Sequence, residues 1–581
     1  MTGASSAGSM TGGALPKWQL ALAVGAPVAL GLGYMYYKNS SKPSSKSNRG
    51  KSKTNSKENG TSSADKQISI DGDCPPKNAT DLESETLLEK AQRLKNEGNN
   101  LFKLGKYNEA IKLYNDAIYA CPKENTDALA TFYQNRAAAY EQLKEYNVVK
   151  LDCTKALELK PRYTKALLRR ARALEQCCEL EAALEDVTAA CILGGFSDRM
   201  ALEMADRVLK RLGRQRAMEY MKTKKYSMPS KHFIKHYINS FHKDPVFMML
   251  QDEDNSNISL NFAKILKCVK DQKYDDVIPL CTEEINSSEP DALPHKMEAL
   301  LLRATFYLLQ GNHDAAIEDF ETIINSDDIK KNIKVNALVK RATLYMQLET
   351  PEKSFHDFEM AANLDPDCSD IYSHKAQVNL LMEKIDEAKE DLRKAVDLNP
   401  NFGVGYVQKC YADYHYGMIK RDMDIVGKAM QGFEMAFEKF PDCPDCYIMY
   451  AQVLSESQEF EKADTYFAKA VEKDPNNATT YVHRGLLQLK WNGDIDKALE
   501  YINKAIELDD KCEFGLETLA TIEVQRGNLE EATALFDKAL ALSRTTSELV
   551  HIFSLRYAAK TQLTLKDKLG ADMLLNLRGV S

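Results

Sequence analysis

A 34-residue spacing of small and aromatic residues recurs from about residue 90 onward and limits the folds open to this chain. Pro366 and Pro400 are 34 residues apart, and so are Pro441 and Pro475. Such a period is typical of helical pairs that stack side by side, because one pair alone cannot bury its apolar face. The sequence therefore predicts an all-α solenoid of about 10–11 repeats in two blocks.

Each unit needs small residues where its two helices touch and an aromatic residue that fills the space to the next unit. The first unit meets this pattern with Gly98, Ala110, Tyr114, Ala117 and Pro122. Later units place an aromatic residue four positions after a small one, as in Ala316 and Phe320, Ala429 and Phe433, Ala463 and Phe467, and Ala532 and Phe536. The pattern resembles the tetratricopeptide repeat (TPR), which implies two antiparallel helices per unit.

The period lapses between the two blocks, from roughly residue 196 to residue 256. We expect an N-terminal TPR domain at residues 85–195, a helical connector at 196–256 and a C-terminal TPR domain at 257–581. The connector contains His232 and His236 at helical spacing. No nearby acid or cysteine completes a zinc site, so an ordinary connecting helix is the interpretation.

A twenty-residue stretch without charge, residues 18–37, precedes the repeats. About twenty apolar residues span a bilayer as a helix, and this run predicts a transmembrane anchor rather than a cleaved signal peptide. Basic residues from Lys38 to Lys57 follow it, which places the long C-terminal part in the cytosol and residues 1–17 across the membrane. Residues 38–84 are Ser- and Lys-rich with few apolar side chains and predict a disordered basic tether.

Charge and cysteine content exclude several functions. The chain has 77 basic and 85 acidic residues spread along its length, which argues against a nucleic-acid partner. Its 13 cysteines, an odd number without pattern, indicate reduced thiols rather than a disulfide framework. Cys443 and Cys446 form a single C-x-x-C, too few ligands for structural zinc, and are interpreted as incidental turn cysteines. Neither a metal nor another cofactor is predicted.

Five polar side chains in the first three repeats fall at positions predicted to face the concave surface. They are Lys95, Asn99, Asn135, Lys165 and Arg169. Ammonium and guanidinium groups donate charge-assisted hydrogen bonds to carboxylates, and amides add neutral donors. Because no carboxylate is among the five, they predict a site for an acidic peptide; a solvated polar face is the alternative.

The segments around these residues read LKNEGNNLFKLGKY, YQNRAAAY and YTKALLRRARAL. They resemble the carboxylate-clamp TPR family of chaperone-binding domains. The resemblance implies that the five side chains hold the terminal carboxylate and last aspartate of a Glu-Glu-Val-Asp tail. Chains with that tail are the cytosolic heat-shock chaperones of the 70 and 90 kDa classes.

The same face positions in the second block are mostly apolar. They include Leu301, Leu302, Val339, Tyr411, Tyr414, Met418, Ile448, Met449 and Leu487, with Lys340, Arg484 and Glu517 between them. A face of this kind suits a hydrophobic or amphipathic polypeptide, and methionine adapts its packing to varied partners. We therefore predict a preprotein groove here. The alternative is that the solenoid itself buries some of these residues.

The whole layout resembles the 70-kilodalton preprotein receptors of the mitochondrial outer-membrane translocase, animal type. The resemblance implies a single-pass receptor that binds chaperones and internal-signal (carrier-type) preproteins and works with other translocase subunits. A TPR-bearing enzyme is disfavoured, because the repeats leave no segment for a catalytic domain and no phosphate-binding Gly-rich loop occurs. A chaperone-docking scaffold in the endoplasmic reticulum membrane remains the alternative.

Overall fold

The computed structural model describes residues 86–250, 258–287 and 295–569. Every regular element in these ranges is helical, with one short 3₁₀ turn at Tyr274–Asp276. The predicted span at residues 18–37 and the tether at 38–84 lie outside the described residues. Within those residues, no helix combines the length and the apolar character that crossing a membrane requires.

The N-terminal block consists of three antiparallel helical pairs. Its six helices are α1 (Leu87–Lys103), α2 (Tyr107–Ala120), α3 (Thr126–Gln142), α4 (Tyr146–Leu159), α5 (Thr164–Gln176) and α6 (Leu180–Leu193). Three connector helices follow, namely α7 (Arg199–Met221), α8 (Lys231–Asn239) and α9 (Pro245–Met249).

The C-terminal block consists of eight further pairs and a last helix that packs on the final pair. The first four pairs are α10 (Leu260–Lys270) with α11 (Val277–Asn286), α12 (Lys296–Gln310) with α13 (His313–Ile324), α14 (Lys331–Gln347) with α15 (Pro351–Leu364), and α16 (Ser369–Leu381) with α17 (Ile385–Leu398). The next four are α18 (Gly403–Lys420) with α19 (Met423–Lys439), α20 (Pro444–Glu456) with α21 (Phe460–Lys473), α22 (Ala478–Asn492) with α23 (Ile495–Leu508), and α24 (Glu513–Arg526) with α25 (Leu529–Leu542). The last helix is α26 (Thr546–Leu569). The prediction of an all-α TPR solenoid is confirmed.

The described chain separates into two compact units, with the boundary between Leu202 and Glu203 inside α7. The connector from Glu203 onward therefore packs with the C-terminal repeats, and only its first residues belong to the N-terminal unit.

Small residues lie where the paired helices approach each other. A Cβ atom on Gly98 would lie 2.8 Å from Cε1 of Tyr114, so the helices α1 and α2 could not pack as they do with a larger residue there. A Cβ atom on Gly485 would lie 3.0 Å from the carbonyl oxygen of Ala498 in the next helix. These two contacts explain why the repeat requires a small residue at this position.

The aromatic residues of the repeats form much of the core. In the C-terminal block, five phenylalanines on the second helices of their pairs each have 2% or less of their surface exposed, namely Phe320, Phe358, Phe433, Phe467 and Phe536. Burying one such ring stabilises the fold by roughly 1.5–3 kcal/mol. Each of these rings adds one large side chain to the interface between its repeat and the neighbouring repeats.

Arginine–aspartate pairs join the two helices of several repeats, always 16 residues apart in sequence. The pairs are Arg136 with Asp152, Arg170 with Asp186, Arg303 with Asp319, and Arg341 with Asp357. In each, Nε and Nη2 both donate to the carboxylate over 2.5–2.8 Å. Bidentate geometry fixes the guanidinium and carboxylate planes, so these pairs orient the helices as well as attract them.

Candidate polypeptide-binding surfaces

The predicted clamp residues lie on α1, α3 and α5, the first helices of three adjacent pairs. Asn99 Oδ1 accepts hydrogen bonds from Tyr114 Oη at 2.8 Å and from Asn135 Nδ2 at 3.1 Å. The acceptor end of Asn99 is therefore saturated by the protein, which turns its Nδ2 donor toward other partners. Two neighbouring repeats thus fix one amide donor on this face.

Arg169 has partners on α3. Its Nε donates to Oε2 of Glu141 at 2.8 Å and its Nη1 donates to the carbonyl oxygen of Gln134 at 3.1 Å. Its Nη2 group has no partner among the described residues, so the two N–H donors of Nη2 stay available for a ligand. The hydrogen bonds from Nε and Nη1 hold the guanidinium plane in place.

Glu141 is an acid that our choice of site residues omitted. Burial raises its pKa, but hydrogen bonds from Arg172 and Arg169 outweigh this and leave the pKa below its ordinary value. Glu141 is therefore ionised at neutral pH and offsets one cation of the clamp. It lies on α3, the helix that also carries Asn135, and its place within the 34-residue repeat was the signal in the sequence that pointed to it.

Lys95 and Lys165 form no ion pair and no hydrogen bond with any residue of the described ranges. With Arg169 and Arg172 they give this face four cations against the single carboxylate of Glu141. We call the five predicted residues together with Glu141 the clamp surface. Its net charge is positive, and its two lysines have no partner to lose when an anion binds.

The connector occupies part of the equivalent face of the C-terminal block. Helix α9 packs on α12 and α14, which are first helices of adjacent pairs. One oxygen of Asp244 caps α9 by accepting from the N–H groups of Val246 and Phe247, and the other accepts from Lys340 Nζ at 2.6 Å. Lys340 also donates to Thr305 at 2.9 Å and is 1% exposed. It is therefore a buried ion-pair partner rather than part of an open groove.

Further contacts extend this cover to α16. The carboxylate of Asp370 accepts from the backbone N–H groups of His242 and Lys243 at 3.0 and 3.1 Å. Phe241 stacks on His374 with ring centroids 4.2 Å apart. Burial lowers the pKa of His374 to about 4, so this imidazole is neutral in the stack. The residues from Phe241 to Phe247 thus form an intramolecular ligand of three repeats.

The structure distributes the predicted groove residues over several environments. Buried residues are Leu301, Leu302, Val339, Tyr411, Tyr414, Met449 and Leu487, whereas Ile448 is half-buried and Met418 is half-exposed. Tyr411 and Tyr414 direct their hydroxyls to Glu456 and Ser457. Arg484 is paired with Asp464 at 2.8 Å. Only Ile448 and Met449 of these side chains line the large cavity of the block.

This cavity has a volume of about 770 Å³ and lies between the connector and the first helices from α18 to α26. Its wall is apolar in part, with Phe233, Phe402, Ile448, Met449 and Phe514. It also has more acidic than basic side chains, seven against four lysines and arginines, although Glu513 is largely protonated at neutral pH because its pKa is about 8. The acids are Asp442, Asp445, Asp474, Asp509, Glu513, Glu517 and Glu548, and the bases are Lys235, Lys473, Lys511 and Arg544.

One end of the cavity concentrates buried charge. Burial, and next the neighbouring carboxylate of Glu548, raise the pKa of Glu513 to about 8, against the opposing effect of Arg544. Arg544 Nη2 lies 3.6 Å from this carboxylate, and its guanidinium lies 3.9 Å above the ring of Phe233 in the connector. Glu517 and His551 interact over 2.8 Å. Protonated Glu513 can ionise if a cation enters, so this end favours a positively charged ligand.

Comparison with known proteins places the chain in a class and then in a family. Seven segments match tetratricopeptide-repeat families, at residues 91–124, 130–163, 298–327, 369–402, 444–477, 478–512 and 516–552. The fold and these matches define a TPR solenoid protein, a scaffold rather than an enzyme.

Similar proteins narrow this class to one family. The chain is 41% identical to "Mitochondrial import receptor subunit TOM70" of Rattus norvegicus, over 98% of this chain and 95% of the relative. It is 41% identical to the protein of the same name in Homo sapiens, over 96% and 94%. The crystal structure of the yeast Tom70 aligns with 24% identity and a TM-score of 0.47, over 84% of this chain and 99% of that chain. The chain belongs to the TOM70 family.

Proposed function

We propose that the protein is a mitochondrial import receptor that binds cytosolic chaperones through the clamp surface and preproteins through the cavity of the C-terminal block. The similarity to import receptors over nearly the whole chain carries the proposal of a receptor role. Residues 18–37 anchor it in the outer membrane, with the repeats in the cytosol and other translocase subunits as partners.

Hydrogen-bond donors without a partner among the described residues support the chaperone site. An acidic C-terminal tail offers a terminal carboxylate and side-chain carboxylates close together. Lys95 and Lys165 supply ammonium groups that no described residue neutralises, and Asn99 supplies an amide donor whose acceptor end is already bonded. Charge-assisted hydrogen bonds of this kind are roughly twice as strong as neutral ones. A Glu-Glu-Val-Asp tail matches this set of donors.

The combination of apolar and acidic side chains in the cavity wall supports the preprotein site. Phenylalanine and methionine side chains suit apolar residues, while the excess of carboxylates suits lysine or arginine. This differs from the mainly apolar groove expected from the face positions. The ligand that fits is an amphipathic segment with cationic and apolar side chains, and an acidic tail is repelled.

A titration with two peptides tests both sites on the same full-length chain. Lys165→Ala is expected to weaken binding of a Glu-Glu-Val-Asp peptide in calorimetry at least tenfold and to leave binding of a cationic precursor peptide unchanged. Lys112→Ala is the matched control, because Lys112 is exposed on the second helix α2 and has no partner among the described residues. Equal effects of the two substitutions would contradict the clamp.

The membrane in which the protein is anchored needs a separate experiment. A fluorescent fusion of residues 1–60 is expected to label mitochondria. Labelling of the endoplasmic reticulum would instead support the scaffold in that membrane, and a diffuse cytosolic signal would contradict the anchor.

A further inference from the structure

The C-x-x-C pair lies at the start of α20, and its two sulfurs are in different environments. Cys443 is the N-cap residue of this helix, is half-buried and lines the cavity. Cys446 is fully buried and is not part of the cavity wall. Access from solvent is therefore possible for one thiol only.

The backbone around the pair is fixed. The N–H group of Cys446 donates to the carbonyl oxygen of Cys443 at 3.2 Å, which closes one turn between them. Tyr447 Oη donates to the carbonyl oxygen of Pro441 at 3.0 Å, and Cys443 N–H donates to Phe440 at 3.1 Å, so the preceding turn is held as well. Residues three apart in a helical turn have Cβ atoms about 5–6 Å apart, within reach of a disulfide after a small adjustment.

The thiols also differ in acidity. A hydrogen bond from Cys446 and, after it, the N–H groups of Cys446 and Asp445 lower the pKa of the Cys443 thiol, although burial opposes this. The same hydrogen bond and burial raise the pKa of Cys446. A C-x-x-C pair with one accessible, more acidic thiol and one buried thiol has the arrangement that thiol–disulfide exchange requires.

We propose that Cys443 and Cys446 form a redox-active dithiol, with Cys443 as the attacking thiol and Cys446 as the resolving thiol, which exchanges with disulfides that enter the cavity. The proposal goes beyond the receptor function and does not depend on it. Among the described residues no cluster of three or more His, Cys, Asp or Glu side chains is placed to hold a metal ion, so the pair is not part of a larger metal site there.

The exchange has two steps, with a low-molecular-weight disulfide as the oxidant. The Cys443 thiolate attacks one sulfur of that disulfide, which forms a mixed disulfide and releases one thiolate. Cys446 then loses its proton and attacks the Cys443 sulfur, which forms the Cys443–Cys446 disulfide and releases the second thiolate. The protein dithiol is oxidised by two electrons and the small disulfide is reduced to two thiols. A dithiol reductant reverses both steps.

The charge of the cavity predicts which disulfides react fastest. With Glu513 protonated, six other acidic side chains against four lysines and arginines favour a cationic oxidant such as cystamine over the anionic glutathione disulfide. Cys178 provides an internal reference, because it is exposed in the N-terminal block and does not line this cavity.

The experiment treats the reduced full-length protein with cystamine or glutathione disulfide, blocks remaining thiols with an alkylating agent and maps each cysteine by peptide mass spectrometry. In the wild type we expect a Cys443–Cys446 disulfide that dithiothreitol reverses. In Cys446→Ser we expect a stable mixed disulfide on Cys443. The ratio of its rate of formation with cystamine to that with glutathione disulfide should be at least five times the same ratio measured for Cys178. In Cys443→Ser we expect Cys446 to stay alkylatable only after unfolding.

Three results would overturn the proposal. The first is a wild-type protein in which both thiols remain reduced at every ratio of oxidant to reductant. The second is a mixed disulfide on Cys446 in Cys443→Ser, and the third is cross-linking of Cys446 to a cysteine other than Cys443. Because the wild-type measurement needs no substitution, misfolding of a variant does not remove the test.

Discussion

The two blocks of this solenoid share one repeat architecture, but the surfaces of their first helices differ in charge and in how far they are covered. In the N-terminal block, the face of α1, α3 and α5 is open and cationic, with Lys95 and Lys165 unpaired among the described residues. In the C-terminal block, the connector covers the face of α12, α14 and α16, and the cavity beyond it has more carboxylates than cations. The scaffold is constant, and a few side chains and one non-repeating segment decide what each face can bind.

The difference in charge separates the two ligands. Under the proposed function, we expect the clamp surface to attract an acidic tail and the cavity to repel it, and we expect the reverse for a cationic segment. Specificity is the difference between a surface's affinities for two ligands. Opposite charges on the two faces therefore favour a different ligand at each face and disfavour the other one. The proposal therefore predicts that an acidic tail and a cationic segment do not compete for the same site.

The largest effect is expected from breaking the contact between the connector and its repeats. Lys340→Ala leaves Asp244 buried, at 3% exposed, without its ion-pair partner. Loss of one partner of a buried pair costs about 3–5 kcal/mol, so the unfolding transition of the C-terminal block in urea should shift by that amount. The transition of the N-terminal block should stay in place.

The control for this substitution is Lys331→Ala, because Lys331 also forms an ion pair, with Asp365 at 3.2 Å, but is 60% exposed. A change of less than about 1 kcal/mol is expected there. If the two variants lost equal stability, the connector would not be an integral part of this block. The double change Lys340→Met with Asp244→Asn should recover part of the loss, since neither side chain then carries a buried charge.

Removing the oriented guanidinium of the clamp should have the next largest effect. Arg169→Ala is expected to cost about 2 kcal/mol in the binding of a Glu-Glu-Val-Asp peptide, because a charge-assisted contact is lost. Isothermal calorimetry on the full chain measures this, and binding of a cationic precursor peptide serves as the second readout. Arg172→Ala, which also removes a bond to Glu141, should cost less because the Arg172 side chain is 45% exposed against 15% for Arg169, so solvent screens its charge more. A loss of both activities in Arg169→Ala would mean that the two faces are not independent.

The acidic end of the cavity predicts a pH dependence opposite in sign to the one that the lowered pKa of Glu141 gives the clamp surface. The pKa of Glu513 is about 8 in the folded protein against an ordinary 4.5, so between these pH values the folded state binds more protons than the unfolded state. Stability is therefore highest below pH 4.5 with respect to this group and falls as the pH rises toward 8. Glu513→Gln should remove a slope of at most about 1.4 kcal/mol per pH unit in urea denaturation. An unchanged slope in this variant would show that Glu513 is ionised in the folded state.

The repeats could be predicted from the sequence because their determinants are local and periodic. Gly98 and Tyr114 are 16 residues apart in one unit, and the same spacing of a small and a large residue recurs in later units. The helical pairs follow from this period alone. The Arg136–Asp152 pair and its equivalents have a regular spacing too, and a search for recurring opposite charges would have found them.

The parts that could not be predicted depend on contacts between distant segments. Asp244 and Lys340 are 96 residues apart, and the connector has no period that would show which repeats it covers. The position of Leu301 or Val339 within its repeat identifies the helix face on which the residue lies. It does not identify the segment that packs on that face. The acids of the cavity come from loops and helix starts of several repeats, so their convergence is visible only in three dimensions.

The smallest effect, and the one that refines the comparison most, concerns the acid inside the clamp surface. Glu141→Gln removes the carboxylate that offsets Arg169 and keeps an oxygen that accepts its hydrogen bond. Affinity for the acidic peptide should rise by roughly 0.5–1 kcal/mol, and the gain should shrink at high salt because it is electrostatic. Glu158→Gln is the control, as Glu158 is exposed on α4 and pairs with Lys155. A fall in affinity would instead mean that the charge of Glu141 is needed to position Arg169, so that the clamp surface, like the C-terminal face, depends on an intramolecular acid for its shape.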